Sequence, residues 1–157
     1  MKRRVFLQGL TLAAFGSTFH HTAAAAPVGT MKEIQAMQNN WRALLAAGVR
    51  AGDRVGILMG NRSEWLILDF AVMTLGAITV GLNTWATAYE LAYQLRHADV
   101  KLLAIEPRFR NSDFRALLAE ARAQADGLPS LATVVCTEEP LTGMLSYADF
   151  LSAASSV

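Results

Sequence analysis

Residues 48–82, reading GVRAGDRVGILMGNRSEWLILDFAVMTLGAITVGL, decide the fold. Gly48 stands where a preceding helix must stop, and Gly52-Asp53 turns the chain. Arg54-Val55-Gly56-Ile57-Leu58-Met59 is a short apolar run, the pattern of a strand buried on both faces. Gly60-Asn61-Arg62-Ser63 breaks it, with Asn61 or Ser63 suited to cap a helix over residues 64–75. Gly76 stops that helix, and residues 77–82 return to β-branched character for a second strand. A strand, a helix and a strand in this order pair in parallel through a right-handed crossover.

The same alternation extends outward. Upstream, Thr30-Met31-Lys32-Glu33 has the form of a capping box, and Ile34, Met37, Trp41, Leu44 and Leu45 then share one helical face. Downstream, Thr87-Ala88-Tyr89-Glu90 is a second capping box, opening a helix that turns Leu91 and Leu95 inward. Asp99 closes that unit before a third strand over residues 100–105. Pro107 marks a loop. Ser112 or Asn111 then caps a helix carrying Phe114, Leu117, Leu118 and Ala121 on one face, and Gly127 and Pro129 end it. Residues 131–136 predict a fourth strand, and Ser146 caps a last short helix over 147–154. The order αβαβαβαβα predicts an α/β fold, a three-layer sandwich with a mostly parallel sheet of the flavodoxin or Rossmann kind.

Residues 65–82 offer a competing reading, because Asp69 is the only charge in a stretch of near membrane-spanning length. Gly76, Gly81 and the change to β-branched residues favour a buried helix followed by a buried strand. Membrane contact is therefore not favoured.

Residues 1–25 read differently. Met1-Lys2-Arg3-Arg4 is a basic start, residues 5–16 are modestly apolar, residues 17–22 are polar, and Ala23-Ala24-Ala25-Ala26 offers small residues for cleavage. Arg3, Arg4, Phe6 and Leu7 resemble the twin-arginine export signal of bacteria. The expectation is a signal peptide over 1–25, and a periplasmic or exported chain if it works, a cytoplasmic one if it does not. Its removal would take Lys2, Arg3 and Arg4 with it and turn a formal charge of +1 negative.

Composition sets the remaining limits. Hydrophobic residues at 53% against charged residues at 17% exclude a disordered polyelectrolyte. The balance of 14 basic and 13 acidic residues offers no nucleic-acid surface. One cysteine, Cys136, excludes an internal disulfide and reads as a small core residue. His97 sits at a helix end, where a cation is favoured. There is no G-x-G-x-x-G and no G-x-x-x-x-G-K-[ST] loop, and none of the three lysines follows a glycine-rich loop. No nucleophile–base set, metal cluster or paired-carboxylate site can be argued, so no catalytic residue and no metal ligand is assigned.

Several segments together resemble the opening of an AMP-forming acyl-CoA synthetase, of the adenylate-forming ligase superfamily. They are residues 44–57, Asn61-Arg62-Ser63-Glu64-Trp65, residues 75–84, and Tyr89-Glu90-Leu91-Ala92-Tyr93-Gln94-Leu95. Thr30-Met31-Lys32-Glu33-Ile34 resembles the family's first core motif, with Met31 where an aromatic is usual. Residues 73–83 resemble its second, with Gly81 where proline is common. These are scaffold motifs. The resemblance implies activation of a carboxylic or fatty acid by ATP with Mg and transfer to coenzyme A, by motifs that lie downstream of this stretch. The chain alone is thus expected to hold no cofactor. Residues 26–157 read as the N-terminal part of the ligase domain, a truncated fragment without catalysis of its own. In some coenzyme A-binding relatives a basic residue after the third strand lies near the coenzyme's phosphates, and Arg108 and Arg110 occupy that loop here. Two further readings stay open: an exported non-catalytic α/β binding module, and one part of a split ligase whose partner chain supplies the rest.

Overall fold

A computed structural model describes residues 31–156. The expected export signal, with Arg3, Arg4, Phe6 and Leu7, lies outside the described residues, as does the expected cap at Thr30.

The described chain opens with helix α1 (Met31–Ala46), strand β1 (Arg54–Leu58), helix α2 (Ser63–Thr74), strand β2 (Ile78–Gly81) and helix α3 (Ala88–His97). Strand β3 (Val100–Ile105) follows, then a hairpin of β4 (Arg108–Phe109) and β5 (Ser112–Asp113), and helix α4 (Phe114–Arg122). Strands β6 (Thr133–Cys136) and β7 (Leu145–Ser146) precede helix α5 (Tyr147–Ser152), which runs into a 3₁₀ turn at Ala153–Ser156. The five main strands form one parallel sheet in the order β2-β1-β3-β6-β7. This is the 2-1-3-4-5 order of a flavodoxin-like, doubly wound sheet.

Strand alternation sorts the core into two layers. Val55 and Ile57 of β1, Leu102 and Ala104 of β3, and Val135 of β6 face α1, α2 and α5, where they meet Ala43, Leu44, Leu68, Val72 and Phe150. Leu58, Leu103, Ile105, Val134 and Cys136 face the other way, onto Leu91 and Leu95 of α3 and Phe114 and Leu118 of α4. With both faces covered, the central strands are apolar over most of their length, and the three-layer reading holds. Val100 breaks the alternation. It faces α3 although Leu102, two residues on, faces α1. The cause is a register shift at this point, where Arg54 pairs with Val100 but Val55 pairs with Leu102, leaving Lys101 as an extra residue. Its ammonium donates to the Gly48 carbonyl at 2.9 Å and to Asp53 at 2.7 Å.

Helix ends follow the expected chemistry with two corrections. Gly76 takes φ 74° after α2. Its N–H reaches the Met73 carbonyl at 3.0 Å and the Ala77 N–H reaches the Val72 carbonyl at 3.1 Å, which closes the helix and aims the chain into β2. At α3 the capping box forms in full: Glu90 N–H donates to Thr87 Oγ1 at 3.3 Å and Thr87 N–H to Glu90 Oε2 at 2.8 Å. Ser146 caps α5 as expected. At α2 the cap position is Arg62, with no side-chain capping bond, rather than Asn61 or Ser63. At α4 the cap is Asp113, not Ser112 or Asn111, because its carboxylate reaches two free helix N–H groups, on Arg115 at 3.0 Å and Ala116 at 3.3 Å. The β4–β5 hairpin and β7 went unanticipated. Strands of two residues carry no periodic signal.

Candidate functional site

In a doubly wound sheet the crevice for ligands opens beyond the carboxyl ends of the strands, where successive crossovers leave in opposite directions. Here that point lies between β1 and β3. The loop after β1 supplies Gly60 and Arg62, the loop after β3 supplies Glu106 and Arg108, and the loop after β6 supplies Thr137, Glu138 and Glu139. Arg62, Glu106, Pro107, Arg108, Glu138 and Glu139 line a cleft of about 500 Å³.

Arg62 is the centre of this edge. Its guanidinium grips Glu64 with both forks, at 2.9 and 3.1 Å. It also donates to Glu138 at 2.9 Å, to Thr137 Oγ1 at 3.3 Å and to Glu106 at 3.4 Å. The paired arms hold the Glu64 carboxyl at about 2, well under its ordinary value, because hydrogen bonding to the charged form favours that form. The same bonds raise the Arg62 guanidinium. Glu106 is buried, at 8% exposure. Its carboxylate accepts from the Gly60 N–H as well as from Arg62. A Cβ at Gly60 would run into the Phe109 ring, so a larger residue there requires that ring to move.

A second ionic set stands beside the first. Arg115, also buried, holds Asp113 at 2.8 and 3.1 Å and reaches the Glu139 carbonyl at 2.9 Å and its carboxylate at 3.2 Å. Asp113 is held far below the usual carboxylate range by these bonds. The loop after β6 is thus tied to α2 through Arg62 and to α4 through Arg115. Cys136 donates its thiol proton to the Glu138 carbonyl at 2.8 Å, and burial pushes the thiol up, so it is a packed core group rather than a thiolate.

The two arginines singled out in the sequence part company. Arg108 lines the cleft, exposed, with Asp113 at 3.5 Å. Arg110 turns away at φ 53° and lays its guanidinium over Trp85 at 4.9 Å and Phe109 at 5.5 Å. The N-terminus of α4, which would favour an anion, is already filled by the Asp113 carboxylate. Arg62 and Glu106, which organise the crevice, were not among the site residues read from the sequence, where Arg62 stood only in a loop and a scaffold motif. The available signal was their position, as charged residues just past the apolar runs of β1 and β3. Among the described residues no group of three or more His, Cys, Asp or Glu is placed to hold a metal. The cleft carboxylates are engaged by guanidiniums. This edge can clamp three loops against one another, and the Ser63 hydroxyl, which donates to Glu64 at 3.2 Å, shares that carboxylate with Arg62.

The family model for AMP-binding enzymes matches residues 30–154. The chain belongs to the AMP-binding enzyme family. Its relatives within that family are acyl-CoA ligases. Acyl-CoA ligase SID4 of Ajellomyces capsulatus is 36% identical over 118 residues, covering 74% of this chain and 20% of that protein. The mitochondrial medium-chain acyl-CoA ligase ACSF2 of Mus musculus is 30% identical over 120 residues, covering 70% and 20% respectively. Among solved structures, the anthranilate CoA ligase AuaEII, in complex with anthranoyl-AMP, superposes with a TM-score of 0.68 and 31% identity over 76% of this chain and 22% of that one. The chain therefore spans about 20% of the length of the curated relatives it matches. The AMP-binding domain's N-terminal part is what these residues build, and the α/β architecture expected from the sequence is that of its structural neighbours.

Proposed function

We propose that the chain supplies the N-terminal scaffold of an AMP-forming acyl-CoA ligase and does not activate an acid by itself. The observation that carries this reading is the match of residues 30–154 to the AMP-binding family, together with relatives that are acyl-CoA ligases. The edge between β1 and β3 clamps loops through Arg62, and no chemical step is assigned to it. In the full reaction ATP converts a carboxylate, a fatty acid in this proposal, to an acyl-adenylate and coenzyme A takes the acyl group. The remaining parts come from further ligase sequence, as in a split enzyme with a partner chain.

Incubation of the purified chain with octanoate, ATP and coenzyme A is expected to give no octanoyl-CoA and no pyrophosphate. Turnover by the chain alone would sink the proposal. On the coenzyme A side the residues proposed are Arg108 and Arg110. Arg108 lines the cleft and Arg110 is engaged by Trp85 and Phe109, so Arg108→Ala is expected to raise the coenzyme A KM more than Arg110→Ala in the assembled ligase. Residues 1–25 are proposed to direct export by the twin-arginine route. A double change of Arg3 and Arg4 to Lys should then keep the chain in the cytoplasm, and an unchanged periplasmic fraction would count against it.

A further inference from the structure

Helix α3 carries a row of rings on its outer side. Trp85, just before the helix, and Tyr89 and Tyr93 on it are 71%, 71% and 54% exposed, and His97 at its end is exposed as well. Successive members are four residues apart, so Tyr89, Tyr93 and His97 form one ridge of the helix. The Tyr93 and His97 rings are stacked, with centroids 5.3 Å apart and planes at 10°, so they present one common platform. Helix α4 packs alongside α3. It shows Ala116, Ala119 and Ala123 together with Glu120 and Arg122, and its mostly small side chains leave the ridge open to a second helix.

The charges beside this ridge share its centre. Tyr93 lies midway between Tyr89 and His97, four residues to either side, and midway between Glu90 and Arg96, three residues to either side. A two-fold axis at Tyr93 that lays α3 antiparallel on its copy therefore sets Tyr89 against the partner's His97 and Glu90 against the partner's Arg96. An isologous contact repeats every such pair, so the attraction counts twice. Parallel placement would set like charge on like. Both charged groups keep an arm for this role. Glu90 accepts from the Thr87 N–H at 2.8 Å and the Thr87 hydroxyl at 2.9 Å through Oε2 alone. Arg96 donates to the Gly127 carbonyl at 3.3 Å through Nη1 alone. The other charges at the ends of α3 are engaged elsewhere, Asp99 by Arg54 and Arg110 by the rings of Trp85 and Phe109.

We infer that the chain pairs with a second copy of itself through α3, antiparallel, about a two-fold axis at Tyr93. The face selects that occupant because it complements itself in charge as well as in rings. An uncharged partner would leave Glu90 and Arg96 without counter-charges, and a phospholipid surface would set Glu90 against phosphates. A helix of 10 residues on its copy falls short of the ~1,200 Å² of a standard interface. The dimer is accordingly weak, with a Kd of about 100 µM. This inference uses only residues of this chain and does not depend on the ligase reading above.

The test uses the full 157-residue chain with one added cysteine at a time. Tyr93→Cys, Tyr89→Cys and His97→Cys probe the ridge, and Phe70→Cys on α2 reports association through another face. The native Cys136 is buried. Under mild oxidation Tyr93→Cys is expected to form a disulfide dimer about tenfold faster than Tyr89→Cys or His97→Cys alone, since only a residue at the axis meets its own copy within the reach of a disulfide. Mixing Tyr89→Cys chains with His97→Cys chains should restore the fast rate, as a heterodimer. Equal rates at positions 89, 93 and 97, no gain on mixing, or the fastest rate at position 70 overturns the proposal. Sedimentation reads the charge pairs separately. Arg96→Gln should weaken the dimer about threefold and Arg96→Glu about tenfold, because the second change sets like charges together twice. Equal effects of the two, or a parent chain still monomeric at about 1 mM, count against the pairing.

Discussion

Helices α2 and α4 do the same topological job on opposite faces of one sheet, and they are finished differently. α4 buries Phe114, Leu118 and Ala121 and shows Ala116, Ala119, Glu120 and Arg122 to water. α2 buries Leu68, Ala71 and Val72 and shows Leu66, Phe70 and Met73. Inward packing is equivalent, so both helices hold the sheet. The outward faces teach that equal packing against the sheet leaves the outer surface free to differ, polar on α4 and largely apolar on α2. Both helices also begin at an arginine clamp, Arg62 for α2 and Arg115 for α4, and both clamps reach the loop after β6.

The comparison can be broken most severely from the inside of α4. Phe114→Ala should cost about 3–5 kcal/mol by opening a cavity under α4, read from chemical denaturation of the chain. Arg62→Ala comes next, at about 1–3 kcal/mol, because it leaves Glu106 buried with only the Gly60 N–H. That variant also has a pH signature. Glu64 is held at about 2 in the folded chain against an ordinary 4.5. A lowered carboxylate stabilises the fold above its unfolded value and loses that contribution as pH falls through the folded one. Between pH 4.5 and about 2 the parent should therefore lose stability, and Arg62→Ala should lose less over the same window, measured as Tm at each pH. Thr87→Ala, which removes the α3 capping box, should cost about 1 kcal/mol. The smallest effect belongs to the outer face of α2. Phe70→Gln should change the stability of this chain by less than about 0.5 kcal/mol. A large loss there would mean that α2 and α4 are alike after all.

Much of the fold could be read before any coordinates. The apolar runs of β1 and β3 are bounded by turn residues, and β3 falls on residues 100–105 as expected. The Thr87 box and the Ser146 cap are local, three-residue chemistry, and they form. Asp113 was missed as a cap because Asn111 and Ser112, equally good cap residues, precede it. The candidate site was less legible for a different reason. Arg62 meets Glu106 across 44 residues and Glu138 across 76. Pairings of that range depend on strand order, which no local pattern encodes. The hairpin at residues 108–113 had the same fault on a smaller scale: it separates Arg108 from Arg110, which adjacency in sequence had grouped together.

The extra residue in β3 has a consequence of its own. Lys101 is the one position the ladder with β1 does not count. Its removal would leave Val100 and Leu102 adjacent, on opposite faces, as they already lie. An inserted residue of this kind is free of the packing code and can evolve for another purpose. Here it serves as a rivet, fixing the end of α1 and the turn at Asp53 to the middle strand through two bonds at its tip.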